Sequence, residues 1–391
     1  MKKIFTFLAT AAMLAACAKE TPQVPANDFS APAENGGQVA VLFNSNVTAS
    51  VQTKAQGGVD AWNGNQNLYI YGFQRVKGGI DYSATPFINN VVAVSPVEGA
   101  ADNVLAVIDE TDNKPFYYVG NYTYDFYGYY VDDLDIDPIA EATGVRVPLV
   151  LTGGEDIMLA KADPAADVEK ARTNGTFTGD NSWNDLYAYS AYAARRGVQP
   201  SLVFKHQLVR FTFQITSGSE FEDDNRLTVT GLSVNARNVA DLCVAGETTG
   251  LVNIQPETAA LELKSLVGGA LTDLEEYIVP NASEVITDGS NVLGESLMVI
   301  PNPAPVVGES DKYSMVLSMV QDGKSIDYPV DLKFSDVKGT VDGQTQFTAG
   351  YSYRITIKVY GLEKVELSAE LEPWVPGGDI EIDTDDAPEI L

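Results

Sequence analysis

The chain has 391 residues, of which 25 are Lys or Arg and 54 are Asp or Glu, so its formal net charge is −29. This length is enough for two domains of ordinary size, and the many aliphatic and aromatic residues exclude a chain that is disordered throughout. Such a negative charge repels phosphate groups, which excludes nucleic acid as a partner.

The N-terminus predicts export. Two lysines precede an apolar run, residues 4–14, that is too short to span a bilayer. Small residues follow, and the sequence Leu-Ala-Ala-Cys at 14–17 is typical of a bacterial lipoprotein signal. We therefore expect residues 1–16 to be a signal peptide that is cleaved between Ala16 and Cys17. The Cys17 thiol would then carry the lipid, and its acyl chains would anchor the protein to a membrane.

The next segments predict a tether and a first strand. Residues 17–37 are rich in Pro, Ala, Asn and Gly, which indicates a flexible tether. Residues 38–47, QVAVLFNSNV, are typical of a strand, because its apolar residues recur at every second position and so share one face. Those residues are Val39, Val41, Phe43 and Val47. A polar, Gly-rich break that contains Lys54 and Ala55 comes after this strand.

Alternating apolar residues predict further strands in the first half, and two segments predict short helical insertions. The aromatic run YTYDFYGYYV is expected to be a half-buried strand. The predicted strands are 68–73, 104–108, 116–119, 122–131, 145–151 and 157–160. The predicted helices are 163–172 and 182–195.

Residues 201–215, SLVFKHQLVRFTFQI, change phase. Leu202, Phe204 and Leu208 are apolar at even positions, and the apolar set from Val209 to Ile215 is at odd positions. A regular strand cannot do this without turning its apolar set to the other face. We therefore expect a bulge or a crossover at this point, with a domain junction close by. Strands are predicted beyond it at 227–234, 260–266, 297–300, 313–320, 326–334, 351–360 and 365–371.

Many short strands separated by Gly, Pro and Asn turns predict an all-β fold of antiparallel sandwiches. We expect an N-terminal sandwich over 38–205 and a C-terminal one over 206–375. The tail, 376–391, adds one thin strand, because Ile380, Ile382 and Thr384 alternate with acidic residues.

The residues that carry chemistry are few. The chain has one histidine, His206, which excludes a multi-His metal site and counts against a Ser-His triad. Its parity predicts a hydrogen-bonded structural role, and Cys243 is expected to be a buried, inert thiol. Residues 133–137 have Asp at every second position, but Pro138 and Gly144 stand where a calcium-binding EF-hand needs Gly and Glu. We therefore predict no catalytic residue, metal or cofactor, and no enzymatic activity.

Several motifs together resemble one family. They are the lipoprotein signal, the strand that is followed by Thr53-Lys54-Ala55, Trp62 with LYIYGF, then FKHQLVRFTFQI and YSYRITIKVYGLEKVELSAELEPW. In this order they resemble the fimbrillin family of Bacteroidales, the Mfa-like lipoprotein precursors of type V pilus subunits. The resemblance implies two tandem transthyretin-like, Greek-key β-sandwiches. It also implies export to the outer membrane and the cell surface, and assembly into a fimbria.

The resemblance further implies a mode of assembly. In shaft members an Arg- or Lys-specific protease removes the N-terminal segment with its first strand, and a C-terminal strand of a neighbouring subunit fills the vacated groove. Carried over, cleavage would fall between Lys54 and Ala55, where many relatives have Arg in place of Lys. The displaced strand would be that of Val39, Val41, Phe43 and Val47, and the donor strand that of Ile380, Ile382 and Thr384. The partners would be this protease and other fimbrial subunits, identical or different.

Two classes of alternative remain open. The chain could be a surface glycan-binding lipoprotein, or a tip adhesin that binds surface glycans or proteins without polymerising. Sugars would then stack on exposed rings of the aromatic run, and buried rings would count against this. The rings in question are Tyr122, Tyr124, Tyr127, Tyr129 and Tyr130. A secreted hydrolase would need a nucleophile or a carboxylate pair, which no motif indicates.

Overall fold

The computed structural model describes residues 39–44, 62, 64–75, 79–95, 104–105, 107–109, 111, 113–119, 122–132, 134–177, 188–218, 227–253, 275–286, 290–303, 310–339 and 344–372. These residues form 24 strands, two short α-helices and one 3₁₀ turn, Phe334–Asp336. The predicted all-β class with short helical insertions is therefore confirmed.

The elements of the first half are β1 Phe43–Asn44, β2 Asn67–Gln74, β3 Ile88–Val94, β4 Val104–Leu105, β5 Ile108–Asp109, β6 Lys114–Pro115, β7 Tyr124–Tyr130, β8 Ile139–Glu141, β9 Gly144–Val150, β10 Met158–Lys161, α1 Pro164–Thr173, α2 Ala191–Ala194 and β11 Lys205–His206. Those of the second half are β12 Val209–Ser217, β13 Thr228–Ala236, β14 Val239–Gly246, β15 Gly250–Val252, β16 Glu275–Ile278, β17 Glu284–Val285, β18 Asn291–Val292, β19 Leu297–Val299, β20 Lys312–Gln321, β21 Lys324–Lys333, β22 Val337–Lys338, β23 Ser352–Gly361 and β24 Lys364–Glu372.

A central antiparallel sheet organises the first half, with the strand order β11-β10-β7-β2-β3. Side chains of β7 alternate between two cores: Phe126 and Tyr130 face one, and Tyr127 and Tyr129 face the other. Both faces of the aromatic strand are therefore buried. The sequence predicted a half-buried strand because alternating aromatic and polar letters do not reveal a second covering layer.

A second antiparallel sheet, with the order β15-β14-β9-β8, covers the Tyr127 face of the central sheet. Strand β14 was not predicted, because its residues VADLCVAG are buried on both faces and show no alternation. It pairs with β9 over seven register positions, so the hairpin 239–252 crosses the boundary expected between residues 205 and 206. The extents of the two domains otherwise stay a prediction.

The second half forms a β-sandwich. One sheet has the order β18-β12-β23-β24-β22, with β19 also paired to β12. The other has the order β16-β13-β20-β21, with β17 also paired to β13. Their shared core contains Phe211, Leu232, Leu317 and Ile355. The transthyretin-like, Greek-key connectivity stays a prediction.

Two strand pairs of the sandwich, β12 with β23 and β22 with β24, are parallel rather than antiparallel. Parallel neighbours need a long crossover connection. The chain between Ser217 and Ser352 supplies one, because it builds the opposite sheet before it returns. Sequence patterns report which face is buried and not the direction of the neighbouring strand, so this feature was missed.

The phase change near Leu208 is a crossover between sheets, as expected. Strand β11 ends at His206 in the central sheet, and β12 begins at Val209 in the sandwich. Leu208 packs into the core under the second sheet, while Val209 packs into the sandwich core. The two adjacent residues thus serve different cores.

The helices confirm one prediction and correct another. Helix α1 begins after Asp163, whose carboxylate accepts hydrogen bonds from the N–H groups of Ala165 and Ala166. The predicted helix 182–195 is wrong at 188–190, where the chain is bent. The side chain of Ser190 accepts a hydrogen bond from the Ala193 N–H and so starts the short helix α2 at Ala191. Residues 182–187 lie outside the described residues.

The remaining differences are small. The predicted strand 116–119 reduces to an isolated bridge at Tyr117, and the predicted strand 104–108 divides into β4 and β5. The predicted strand 260–266 lies outside the described residues. No helix in the described part of the chain is long and apolar enough to cross a membrane.

Candidate functional site

Residues 39–44, here called the first segment, lie between two neighbouring stretches of backbone. The N–H of Val41 donates to the carbonyl of Phe116 at 2.8 Å, and the N–H of Tyr118 donates to the carbonyl of Val39 at 2.9 Å. The segment then changes neighbour, because β1 pairs antiparallel with β4. The first segment thus connects the stretch 116–118 with β4, and among the described strands β4 pairs only with β1.

Side chains of the first segment alternate as the sequence predicted. Val41 and Phe43 are 3% and 0% exposed, and Val39 packs half-buried against the same core. Leu42 points outwards with 43% exposure, whereas Ala40 is only 7% exposed. Three apolar side chains therefore fill a groove on the surface of the central sheet. Val47, the fourth residue predicted for this face, lies outside the described residues.

The floor of the groove depends on a glycine. The Phe43 ring meets the Phe126 ring edge-on, with centroids 5.1 Å apart. Phe126 in turn lies over Gly72 of the neighbouring strand β2, where an added Cβ would come within 3.0 Å of the Phe126 ring. Gly72 therefore provides the space for the ring on which Phe43 rests.

The remaining walls are aromatic. Phe87 packs against Phe116 at 5.6 Å and against Tyr124 at 4.7 Å between ring centroids, and Tyr118 packs against Tyr124 at 5.7 Å. Burial raises the pKa of both tyrosines above the usual value, so their hydroxyl groups stay neutral at physiological pH. The groove is thus shaped for apolar side chains.

One residue at the rim was not found from the sequence. The N–H of Leu42 donates to Gln199 Oε1 at 3.3 Å, which fixes the outer edge of the first segment. No pattern in the sequence marks Gln199. The stretch 116–119 was predicted as a strand, but its pairing with the first segment was not.

The chain is anchored again at Trp62. Its buried ring packs edge-on against Tyr130 and Phe204, with centroids 5.7 and 5.5 Å apart. The predicted cleavage position, Lys54 and Ala55, falls between this anchor and the first segment and lies outside the described residues.

The next basic residue along the chain is Arg75. Its N–H donates to the carbonyl of Thr123 at 2.9 Å, and its guanidinium pairs with Asp125 at 2.5 Å. Its backbone and side chain are thus both held at the end of β2.

The C-terminal end of the described chain, β24, is part of the sandwich. It pairs with β23 over nine register positions and with β22 over two, and it buries Val365 and Ala369. The predicted donor residues Ile380, Ile382 and Thr384 follow it and lie outside the described residues, as do Ala16 and Cys17.

The tyrosines proposed for sugar stacking are mostly core residues. Tyr124, Tyr127, Tyr129 and Tyr130 are at most 4% exposed, and only Tyr122 of this group, at 39%, reaches solvent. Their hydroxyl groups serve internal hydrogen bonds: that of Tyr129 donates to Asn90 Oδ1 at 2.8 Å, for example. These rings cannot form a sugar-binding platform, so the glycan-binding alternative loses its candidate site.

His206 and Cys243 have structural surroundings. His206 Nδ1 donates to the fully buried carboxylate of Asp156 at 3.0 Å, which holds the crossover against the loop before β10. Cys243 is buried, and burial raises its pKa and so disfavours the thiolate. Among the described residues, no group of three or more His, Cys, Asp or Glu side chains could hold a metal ion.

Comparison with known proteins found similar solved structures. A solved cell adhesion protein from Bacteroides uniformis is 17% identical, covering 88% of this chain and 100% of that one, with a TM-score of 0.46. A fimbrial protein from Bacteroides vulgatus is 14% identical, covering 80% and 94%, with a TM-score of 0.47. The fimbrial anchor protein Mfa2 from Porphyromonas gingivalis is 10% identical, covering 86% and 98%, with a TM-score of 0.34. No curated protein matches the chain.

The family model described as fimbrillin-like matches residues 53–374. This range includes Trp62, the central sheet and nearly all of the sandwich, and it begins just after the first segment and just before Lys54. Because the match spans most of the sequence, the chain belongs to the fimbrillin-like family.

Proposed function

We propose that the chain is a structural subunit of a cell-surface fimbria that assembles by strand exchange. It is exported to the outer membrane as a lipoprotein acylated on Cys17. An Arg- or Lys-specific protease then cuts between Lys54 and Ala55, and the first segment leaves its groove. A strand of another fimbrial subunit takes its place, and the tail with Ile380, Ile382 and Thr384 enters a groove on the next subunit.

The arrangement of the first segment is the observation that carries this proposal. Within the described part of the chain, the segment is the one strand partner of its backbone neighbours. It also inserts Val39, Val41 and Phe43 into an aromatic groove. Its removal would expose the backbone groups at Phe116 and Tyr118 together with this groove. An incoming strand can restore both, which is the basis of β-augmentation.

The positions of the basic residues support cleavage at Lys54. It is the only Lys or Arg between the first segment and Trp62. A cut there separates the first segment from the core and leaves Trp62 on the core side. Arg75, in contrast, is held by Thr123 and Asp125 at the end of a central strand, where a protease would have to unfold the sheet.

The position of β24 supports the tail as donor. Releasing β24 would break its nine register pairs with β23 and expose the side chains of Val365 and Ala369. Residues after Glu372 can reach a neighbour without that loss. The alternation of isoleucine and acid in the tail suits a strand that buries one row of side chains.

Cleavage is tested on the purified precursor with a trypsin-like protease, followed by a gel of unheated and heated samples. Mixed with other fimbrial subunits, the wild-type chain should give heat-sensitive oligomers, and Lys54→Ala should give none. Lys324→Ala, at an exposed hairpin end, is the matched control and should behave as wild type. Normal oligomers from Lys54→Ala would contradict the cleavage assignment.

The donor role is tested with a chain that ends at Gly377. In the same mixture, this chain should be cut normally and should not join the groove of another subunit through its own C-terminal end. If it polymerises as the full-length chain does, the tail is not the donor. A fully cut wild-type chain that stays monomeric alone and with other fimbrial subunits would support the non-polymerising tip adhesin instead.

A further inference from the structure

We propose that the groove of the first segment selects a donor strand from a different kind of subunit and rejects the tail of its own chain. The selected strand has an uncharged small residue, then an aliphatic residue, and an aromatic residue two positions later. This inference rests on the proposed strand exchange, and it predicts junctions between unlike subunits at this groove.

The first argument is the shape of the Phe43 site. The ring is fully buried and meets Phe126 edge-on at 5.1 Å, so the site is sized and oriented for an aromatic ring. Residues 377–391, GGDIEIDTDDAPEIL, contain no aromatic residue. An isoleucine in this site would leave part of the space empty and lose the contact between rings.

The second argument is the burial of Ala40. This residue lies between two inward-facing positions, yet its side chain is only 7% exposed, and its backbone bridges to Tyr117. A donor strand must therefore place a small, uncharged side chain here. A carboxylate at this position would lose most of its contact with water, which is costly.

The tail fails the second requirement in every register that places Ile380 or Ile382 in the Val41 site. There are four such registers, because either isoleucine can fill the Val41 site and the tail can run parallel or antiparallel to the first segment. In each of them the Ala40 position receives an acidic residue. That residue is Asp379, Glu381 or Asp383.

The Phe43 site also receives no aromatic side chain in these four registers. It receives Gly378, Ile380, Ile382 or Thr384, none of which has a ring. The first segment itself, VAVLFN, carries no charge and meets both requirements. The partner strand should therefore resemble the first segment and not the tail.

The test measures displacement of the natural occupant. The unlipidated chain carries Lys19→Gln, so that the protease does not cut between the label and the first segment. It is labelled with a fluorophore at Cys17, which is selective because Cys243 is buried. Cleavage after Lys54 leaves the labelled fragment in the groove, and its release by an added peptide lowers the fluorescence anisotropy. Four synthetic peptides are compared: residues 38–47, the same peptide with Ala40→Asp or with Phe43→Ile, and residues 377–391.

We expect the 38–47 peptide to displace the fragment. Each of its two variants should need at least about tenfold more peptide, because one loses ring contacts and the other buries a charge. The tail peptide should be at least about a hundredfold weaker. A tail peptide with Asp379→Ala and Ile382→Phe, which reproduces the pattern of residues 40–43, should regain displacement.

The outcomes separate the inference from the function on which it rests. If the 38–47 peptide does not displace the fragment, strand exchange at this groove is wrong. If that peptide displaces the fragment and the unaltered tail does so equally well, exchange stands and the selectivity is wrong. Equal potency of the 38–47 peptide and both of its variants would overturn the selectivity as well.

Discussion

The first segment and strand β24 hold the two ends of the described chain in contrasting ways. The first segment buries three apolar side chains but makes only short stretches of backbone pairing, with two different neighbours. Strand β24 makes nine register pairs with one neighbour inside a sandwich. Release of the first segment would break little backbone pairing, which suits the proposed strand exchange. Release of β24 would disrupt the sheet to which it belongs.

The cores on which the two ends pack also differ in composition. The first segment lies on a half of the molecule whose cores contain more aromatic rings than the sandwich core, many of them tyrosine. Strand β24 lies on a core with more aliphatic and methionine side chains, such as Ile355, Leu317 and Met315. The stability of the two halves should therefore respond differently to high pH and to a side chain added at a packed glycine.

The largest expected difference appears at high pH. Burial raises the pKa of seven first-half tyrosines, that of Tyr71 to about 12, and in the second half it raises that of Tyr353. The native state keeps these hydroxyls protonated, whereas those of the unfolded chain ionise near pH 10. The free energy of unfolding is therefore unaffected by these groups below that pH and falls as the pH rises above it. Each such group removes about 1.4 kcal/mol per pH unit above pH 10.

This prediction is checked by following phenolate absorbance together with amide hydrogen exchange in each half. Exchange in β7 should rise with the phenolate signal at a pH where β20 is still protected. Simultaneous loss of both halves would contradict the comparison.

Two core truncations test whether the ends differ in cooperativity. Ile355→Ala, in the strand that supports β24, should lower the free energy of unfolding by about 2–5 kcal/mol in urea titrations. Phe43→Ala removes an equally buried side chain, but its cost is limited to the free energy that holds the first segment in place. It should speed amide exchange at Val41 and Tyr118 and leave the urea midpoint of the sandwich nearly unchanged. A shift as large as that of Ile355→Ala would show that the first segment is an integral strand.

A methyl group added at a glycine should give a smaller difference in stability between the halves. In the first half, a Cβ at Gly128 would lie 2.8 Å from the Phe204 ring, so Gly128→Ala should cost about 1–3 kcal/mol. In the sandwich, a Cβ at Gly231 would meet only the Ser318 side chain at 3.7 Å. Gly231→Ala is therefore the matched control and should change the urea midpoint little. Equal effects would mean that the aromatic packing around Phe204 adjusts freely.

The sequence identified the elements whose apolar residues alternate regularly. The first segment, the strands 313–320 and 351–360, and the crossover at Leu208 and Val209 could all be predicted because one face is apolar or the apolar face switches. Helix α1 could be predicted because Asp163 and Pro164 mark its start.

Other features depend on tertiary context. Strand β14 lacks alternation because both of its faces are buried, and strand β3 contains Asn90, which has a positive φ of 51° and interrupts the pattern. Gln199 touches the first segment from 157 positions away, a distance that no local pattern spans. The groove therefore became visible only when the first segment, Phe126 and the stretch around Phe116 were placed together.

The hairpin of β14 and β15 has a mechanical consequence. In a fimbria, tension would enter at the groove of the central sheet and leave through the tail beyond β24. Strand β14 pairs with β9 over seven positions, while β13 and β16, on either side of the hairpin, belong to the sandwich. The load would therefore pass through a shared sheet and not through a single linker. The two halves would then stretch as one body under flow, and the junction between subunits would yield before the subunit did.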